Sequence, residues 1–136
     1  MGKIYADIEL VKVDDLEKVE LGLLAPDQVR QLKLHIRIDL HSLRLCINEQ
    51  LQAYFQFRVR GKRTFQSNNG LQLKCDIVGP VEIRFQNRDT ICDAIVLPGD
   101  AAPSMGMVPM EAMDVQINRQ ELIVNPQHPD VAVLSF

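Results

Sequence analysis

The sequence predicts a mostly-β protein, a barrel or sandwich of short strands with one or two short helices. Three observations carry that expectation. Apolar residues recur with a period of two at Ile4, Ala6, Ile8 and Leu10, and again at Leu32, Leu34, Ile36, Ile38 and Leu40, as in strands that bury one face. Asn69-Gly70 separates two alternating segments, a strong hairpin signal because both residue types tolerate positive φ. Turn residues also punctuate the later chain at strand-length intervals, around Gln86-Asn87 and Pro98-Gly99, and no internal repeat or low-complexity tract is present.

Taken in order, the first strand runs through Ile4–Leu10 and is ended by Asp14-Asp15. Leu16, Val19, Leu23 and Leu24 sit at roughly helical spacing, but the stretch closes at Gly22 to Pro26, so a helical turn or loop is expected. Between Leu32 and Leu40 the odd positions Lys33, His35, Arg37 and Asp39 are polar, which gives a half-buried strand. The pattern breaks over Asp39-Leu40-His41-Ser42 and resumes in opposite phase at Leu43, Leu45 and Ile47, so a turn bearing a carboxylate joins two strands. Asn48 is a candidate N-cap for a short helix through Tyr54.

Gln56–Gln66 and Leu71–Ile77 flank Ser67-Asn68-Asn69-Gly70 as the two arms of a hairpin. Val81–Phe85 alternates again, turns at Gln86–Asp89 and continues through Thr90–Leu97. Pro98–Pro103 is a loop by its punctuation, and Pro109 suits the first turn of a short helix, Met110–Met113. Val115–Ile117 and Leu122–Val124 bracket a last hairpin turn at Asn118-Arg119-Gln120. The apolar tail Val131–Phe136 predicts a strand paired within the sheet or across a dimer, since an unpaired one would invite aggregation.

Composition bounds the function. At 136 residues the chain fits one domain, 1–136, with a core of its own. A net charge of -3, with no basic patch interleaved with aromatics, argues against nucleic acid and anionic lipid as partners. No segment approaches the roughly 20 apolar residues that span a bilayer, and Met1–Asp7 lacks the apolar run of a signal peptide, so a cytoplasmic protein is expected. Cys46, Cys75 and Cys92 are an odd set without CxxC spacing, which predicts three reduced thiols on strands and no metal site. The methionines at 105, 107, 110 and 113 read as fillers of irregular core gaps.

The turn at Arg37-Ile38-Asp39-Leu40-His41, taken with Gly79–Phe85, Ala94–Gly99 and Ser104–Asp114, resembles the retropepsin-like (clan AA) aspartic proteases, in particular their small bacterial members. The resemblance covers roughly Ile4 to Pro126. It implies a retropepsin-like closed barrel, a catalytic Asp39 within the turn Ile38, Leu40, His41 and Ser42, a flap at Ser67, Asn68, Asn69 and Gly70, and a structural hydrophobic-hydrophobic-Gly motif at Ser104-Met105-Gly106. It also implies a homodimer, with a peptide or protein segment in the cleft below the flap and no cofactor.

Enzymes of this family hydrolyse amides with two carboxylates that hold one water, one ionised as base and the other protonated to polarise the carbonyl. A chain of this length carries one such turn, so the pair would be Asp39 from each subunit at a two-fold axis. The family turn reads Asp-Thr/Ser-Gly, and here only the Asp remains. Leu40 supplies no hydroxyl to tie the two turns together, and His41 adds a Cβ and a ring where glycine lets backbone N–H groups approach. A protonated His41 would favour ionisation of both carboxylates and oppose the shared-proton state. The expectation is therefore a catalytically impaired or inactive family member that binds peptide or a partner as a homodimer. The rival reading is an active aspartic endopeptidase with an Asp39 dyad.

Other chemistries are weaker. Asp39 and His41 from two subunits could offer four metal ligands, but adjacent spacing alone does not select a metal. Ser42, His41 and Asp39 have the residue types of a hydrolase triad, yet sequence neighbours seldom meet in its geometry. His35 reads as a solvated strand residue and His128, flanked by prolines, as an exposed loop residue.

Overall fold

The computed structural model describes residues 3–134. The first strand, β1 (Ile4–Lys12), leads straight into helix α1 (Val13–Glu20), and a 3-10 turn at Pro26–Gln28 precedes β2 (Gln31–Ile38). Next come β3 (Leu45–Asn48), α2 (Glu49–Phe55), β4 (Arg58–Gln66), β5 (Gln72–Phe85) and β6 (Arg88–Leu97). The chain finishes with β7 (Ser104–Met105), α3 (Met107–Met113), β8 (Val115–Asn118) and β9 (Glu121–Val124). Mostly-β architecture is borne out, with three α-helices where one or two were expected.

Seven strands form one sheet in the order β1-β2-β7-β3-β6-β5-β4, and β5 also pairs with β1 from Glu9↔Arg84 to Lys12↔Val81. The sheet therefore closes on itself as a ring, with β4 attached to β5 as an outlying arm and β8-β9 as a separate hairpin. Ala6, Ile8, Leu10, Ile36, Ile38, Ala94 and Val96 point into the ring and join Phe55, Met105, Met110, Met113, Val115 and Leu122 in one core. The period-two reading of β1 and β2 thus picked the inward faces, except that Leu32 and Leu40, at the ends of the run, are exposed.

β5 serves two layers, and a bulge explains how. Its register against β6 slips between Val78 and Val81, and one extra residue flips every side chain that follows. Before the slip the odd positions Cys75 and Ile77 face a small outer cluster with Ile95, Cys46, Phe65, Leu73 and Leu97. After it the odd positions Val81, Ile83 and Phe85 face the ring interior.

Where helix α1 begins, the polar residues do the work that apolar spacing suggested for others. Asp14-Asp15 lie inside its first turn rather than ending the strand, and their charge suits a helix N-terminus. Leu21 and Leu23 are exposed, whereas Asp15 is 2% exposed. Its carboxylate accepts from the Arg30 backbone N–H at 3.0 Å and lies 3.7 Å from the Arg30 guanidinium. Lys12 Nζ donates to the Gln56 carbonyl at 2.7 Å and Arg30 to the Phe55 carbonyl at 2.9 Å. Two cations thus cap the C-terminal carbonyls of α2, where the helix dipole favours them. Burial, reinforced by the Arg30 charge, lowers the Lys12 pKa from its ordinary value.

The arm β4 is exposed on both faces except at Phe65. As an open edge it is guarded by Arg58, Arg60, Lys62 and Arg63 and by a bulge between Val59 and Gly61. Arg58 pairs with Asp14, Arg60 with Asp93 and Lys62 with Asp76.

Val131–Leu134 form no strand and are exposed, which corrects the expected pairing for that part of the tail; Ser135 and Phe136 lie outside the described residues. A polar clamp holds the segment before it. Asp114 accepts from Asn125 Nδ2 at 3.0 Å and from the Val133 N–H at 3.2 Å, and lies 2.7 Å from His128 Nδ1. Buried Arg88 donates to the His128 carbonyl. His128 is half-buried in this clamp rather than an exposed loop residue.

Asp15→Ala removes the acceptor of the half-buried Arg30 donors and should cost roughly 2 kcal/mol, against less than about 0.5 kcal/mol for Leu23→Ser, read as urea midpoints at constant slope. The Asn125 amide, and then the His128 ring and the Val133 N–H, hold the Asp114 pKa below its ordinary value. A depressed carboxylate stabilises the fold above its unfolded pKa of about 3.9 and loses that contribution as pH falls through the lower folded value. The Val133 amide resonance should therefore titrate with a midpoint below 3.9, and be flat over that range in Asp114→Asn.

Candidate functional site

The Asp39 turn is positioned by a strand of two residues. β7 lies between β2 and β3, parallel to the first through Arg37↔Ser104 and Ile38↔Met105, and antiparallel to the second through Leu45↔Met105 and Cys46↔Ser104. Asp39 N donates to the Met105 carbonyl at 3.0 Å. Gly106 N then donates to Arg44 O at 2.9 Å, Met107 N to Ser42 O at 2.8 Å and Val108 N to Leu43 O at 3.1 Å. The N–H groups that open α3 have no partners within the helix, and the carbonyls of the 42–44 segment satisfy them.

This docking leaves no room at Gly106. A Cβ there would stand 2.5 Å from Ser42 O, 2.6 Å from Arg44 N and 2.7 Å from Leu43 C. Its φ of -97° is open to any residue, so space rather than backbone freedom demands glycine. The motif Ser104-Met105-Gly106 thus acts structurally: Ser104 and Met105 are buried, and the glycine clamps the far side of the turn.

Ile38 is buried beneath the turn, and Asp39 is half-buried. Asp39 Oδ1 accepts from the His41 backbone N–H at 2.9 Å, and Ser42 N donates to Asp39 O at 3.2 Å. Leu40 and His41 are exposed. The Ser42 hydroxyl accepts from Arg44 N at 3.4 Å. Asp39 therefore engages the His41 backbone rather than its ring, and Ser42 faces Arg44, so the three do not form a nucleophile, base and orienter. Among the described residues no group of three or more His, Cys, Asp or Glu side chains gathers as a metal site. His35 stacks on Tyr5 with centroids 5.0 Å apart and contacts Asp7 at 2.8 Å, on the outer face of β1-β2.

Two hollows flank the turn. One, of about 320 Å³, is lined by Lys3, Ile4, Arg37, Asp39, Leu40 and His41. The other, of about 450 Å³, lies between the 42–44 segment and the arm. Cys46, Leu73, Cys75, Ile95 and Leu97 make its apolar floor, and Phe65, Gln66, Ser67 and Asn68 its outer wall. Of the four hairpin-tip residues singled out in the sequence, Ser67 and Asn68 line this cleft, whereas Asn69 and Gly70 do not. The tip is a five-residue loop between Gln66 and Gln72 rather than a two-residue turn, and of Asn69 and Gly70 only the glycine takes positive φ, at 84°.

Burial disfavours the thiolate at all three cysteines. Burial, with Asp93 adding to it, pushes Cys92 up to about 12, and burial likewise raises Cys46 and Cys75. Each stays protonated at neutral pH, when only the thiolate reacts.

Sequence reasoning missed Arg44, Phe65 and the floor residues. Arg44 was legible as the polar position of the Leu43-x-Leu45 alternation, hence opposite to the core. Phe65 stands out as the one aromatic residue in Arg58–Gln66. That both reach the same cleft depends on the arm folding over β3 and β6, which no local pattern encodes.

No protein-family model matches the chain, and no curated protein matches it. The site is read from its geometry.

Gly106→Ala should destabilise the protein by about 3 kcal/mol, because overpacking against backbone forces the helix start and the turn apart. For a chain of this size that corresponds to a fall in Tm of roughly 10 °C. Gly61→Ala, where a Cβ meets nothing within 4 Å, should leave Tm nearly unchanged.

Proposed function

We propose that the chain is a retropepsin-like domain with impaired catalytic chemistry that binds an extended peptide or protein segment as a homodimer. The observation that carries this reading is the 450 Å³ apolar cleft, walled on one side by the segment that follows Asp39 and on the other by the hairpin arm. Its apolar floor and polar rim suit side chains of an extended segment, with the backbone held by the rim. The glycine clamp supports the same reading, because it fixes the turn while leaving its outer face free to meet a second copy.

Catalysis is disfavoured by two features of the turn. Leu40 offers no hydroxyl, and His41 places a side chain at the glycine position, although its backbone N–H still reaches Asp39 Oδ1. A dimer about the turn would cover Leu40 and Leu43, which are 44% and 63% exposed, and burial of such surface favours association at about 25 cal/mol per Å². The second reading is an active aspartic endopeptidase with an Asp39 dyad across that dimer. It is favoured by the half-buried placement of Asp39 at the edge of the 320 Å³ hollow.

Cleavage of a diverse peptide mixture from acidic to neutral pH, read by mass spectrometry beside Asp39→Asn, tests the two. The expected outcome is no cleavage by either protein, with a dimer by sedimentation. Products that vanish in Asp39→Asn would establish the dyad and overturn the impaired reading.

A further inference from the structure

The cleft contains one charge, and among the described residues no carboxylate pairs with it. Arg44 is the only ionisable residue among the lining side chains apart from the two protonated thiols. Its guanidinium lies 5.9 Å from the Phe65 ring centre, over the face of the aromatic ring. Arg44 pairs with no carboxylate among the described residues, a condition it shares with Arg37, Arg63 and Arg119 but which only Arg44 brings to this cleft. Asp93, which shares a neighbouring hollow with Arg44, is committed to Arg60 at 3.2 Å. A cation held by an aromatic platform at the mouth of an apolar cleft keeps its N–H fork free to take a carboxylate in two parallel hydrogen bonds.

We infer that Arg44 is a specificity-determining residue, and that the cleft takes an extended peptide presenting an apolar side chain to its floor and an acidic side chain to Arg44. The inference rests on the peptide-binding reading of this cleft and adds the chemistry of the occupant. In an extended chain, residues two apart face the same way, so an apolar residue over Cys46, Leu73, Ile95 and Leu97 puts its i+2 or i-2 neighbour towards the rim. There Arg44 is the only fixed charge. The same cation repels a basic residue at that position, so discrimination has an attractive and a repulsive part. Because the guanidinium is at the exposed rim, its contribution is modest, salt-dependent and expressed largely in association.

The test uses fluorescein-labelled peptides Ala-X-Ala-Leu-Ala-X-Ala, with X as Glu, Gln or Lys on both sides so that either chain direction is covered, and fluorescence anisotropy with the full chain. The Glu peptide should bind roughly fivefold more tightly than the Gln peptide at low salt, with the ratio falling towards one in 0.5 M NaCl. Arg44→Met, which keeps an apolar stem over Phe65, should bind Glu and Gln peptides equally, and Arg44→Glu should prefer the Lys peptide. Equal binding of Glu and Gln peptides by the unaltered protein would overturn the role of Arg44 and leave the apolar cleft as a peptide site. Failure of all three peptides to bind folded protein would overturn the cleft reading and this inference with it. Arg44 is exposed at the rim, so loss of folding in its variants, seen by circular dichroism, would also count against a purely recognitive role.

Discussion

At Gly106 two backbones meet with no space for a methyl group between them. The contact joins the start of α3 to the segment after Asp39, and three hydrogen bonds run across it. Remote parts of the chain depend on it. It seats β7 between β2 and β3, which completes the ring, and it sets the direction in which Ser42, Leu43 and Arg44 leave the turn. Hydrogen bonds alone would leave that segment free to slide, but interlocked backbone fixes it.

Around this contact the molecule spends its apolar residues on two layers rather than one. The ring interior takes most of them, and a smaller group collects outside, beneath the β4 arm. The bulge in β5 lets one strand supply both, because shifting by a single residue reverses which positions face in. A buried polar cluster secures the other end of the ring. Lys12 and Arg30 receive the carbonyls that end α2, and Asp15 balances their charge from a helix that contributes little apolar surface. Charges buried in this way are tolerated because each has a partner.

Much of the ring was legible because its strands obey the rule of a buried and an exposed face. β1, β2 and the second half of β5 could be assigned to within a few residues, and Asn48 does cap α2, accepting from Leu51 N. α1 was legible only in part: Leu16 and Val19 of the helical stripe are half-buried within it, but Leu23 and Leu24 lie beyond its end and its fully buried residue is an aspartate. β4 was legible as a strand only through the hairpin, since its alternation corresponds to no buried face. At the site, the position of the turn could be read from the break in alternation after Ile38, whereas Gly106 was singled out only through the family motif that Ser104-Met105-Gly106 resembles. The cleft could not be read, since its walls come from residues 42–44 and 65–68 and its floor from three further strands. Neither could the clamp at Asp114, where Arg88, Asn125 and His128 converge from separate hairpins and loops.

The three ion pairs on β4 all lie on its first half, at Arg58, Arg60 and Lys62, and none lies beyond. The hairpin is in this respect a cantilever anchored at its base. Beyond Lys62 it has four strand residues before the loop, a reach of about 13 Å at 3.3 Å per residue. That free length ends over the cleft, with Phe65 as the last side chain in apolar contact, so the pivot for any opening of the mouth falls where β5 joins β6, at Ile77. Lys62–Asp76 only ties the two strands of the arm to each other, so the mouth is held by the seat of Phe65 on Cys75, Ile77 and Ile95, an apolar contact that added salt does not screen.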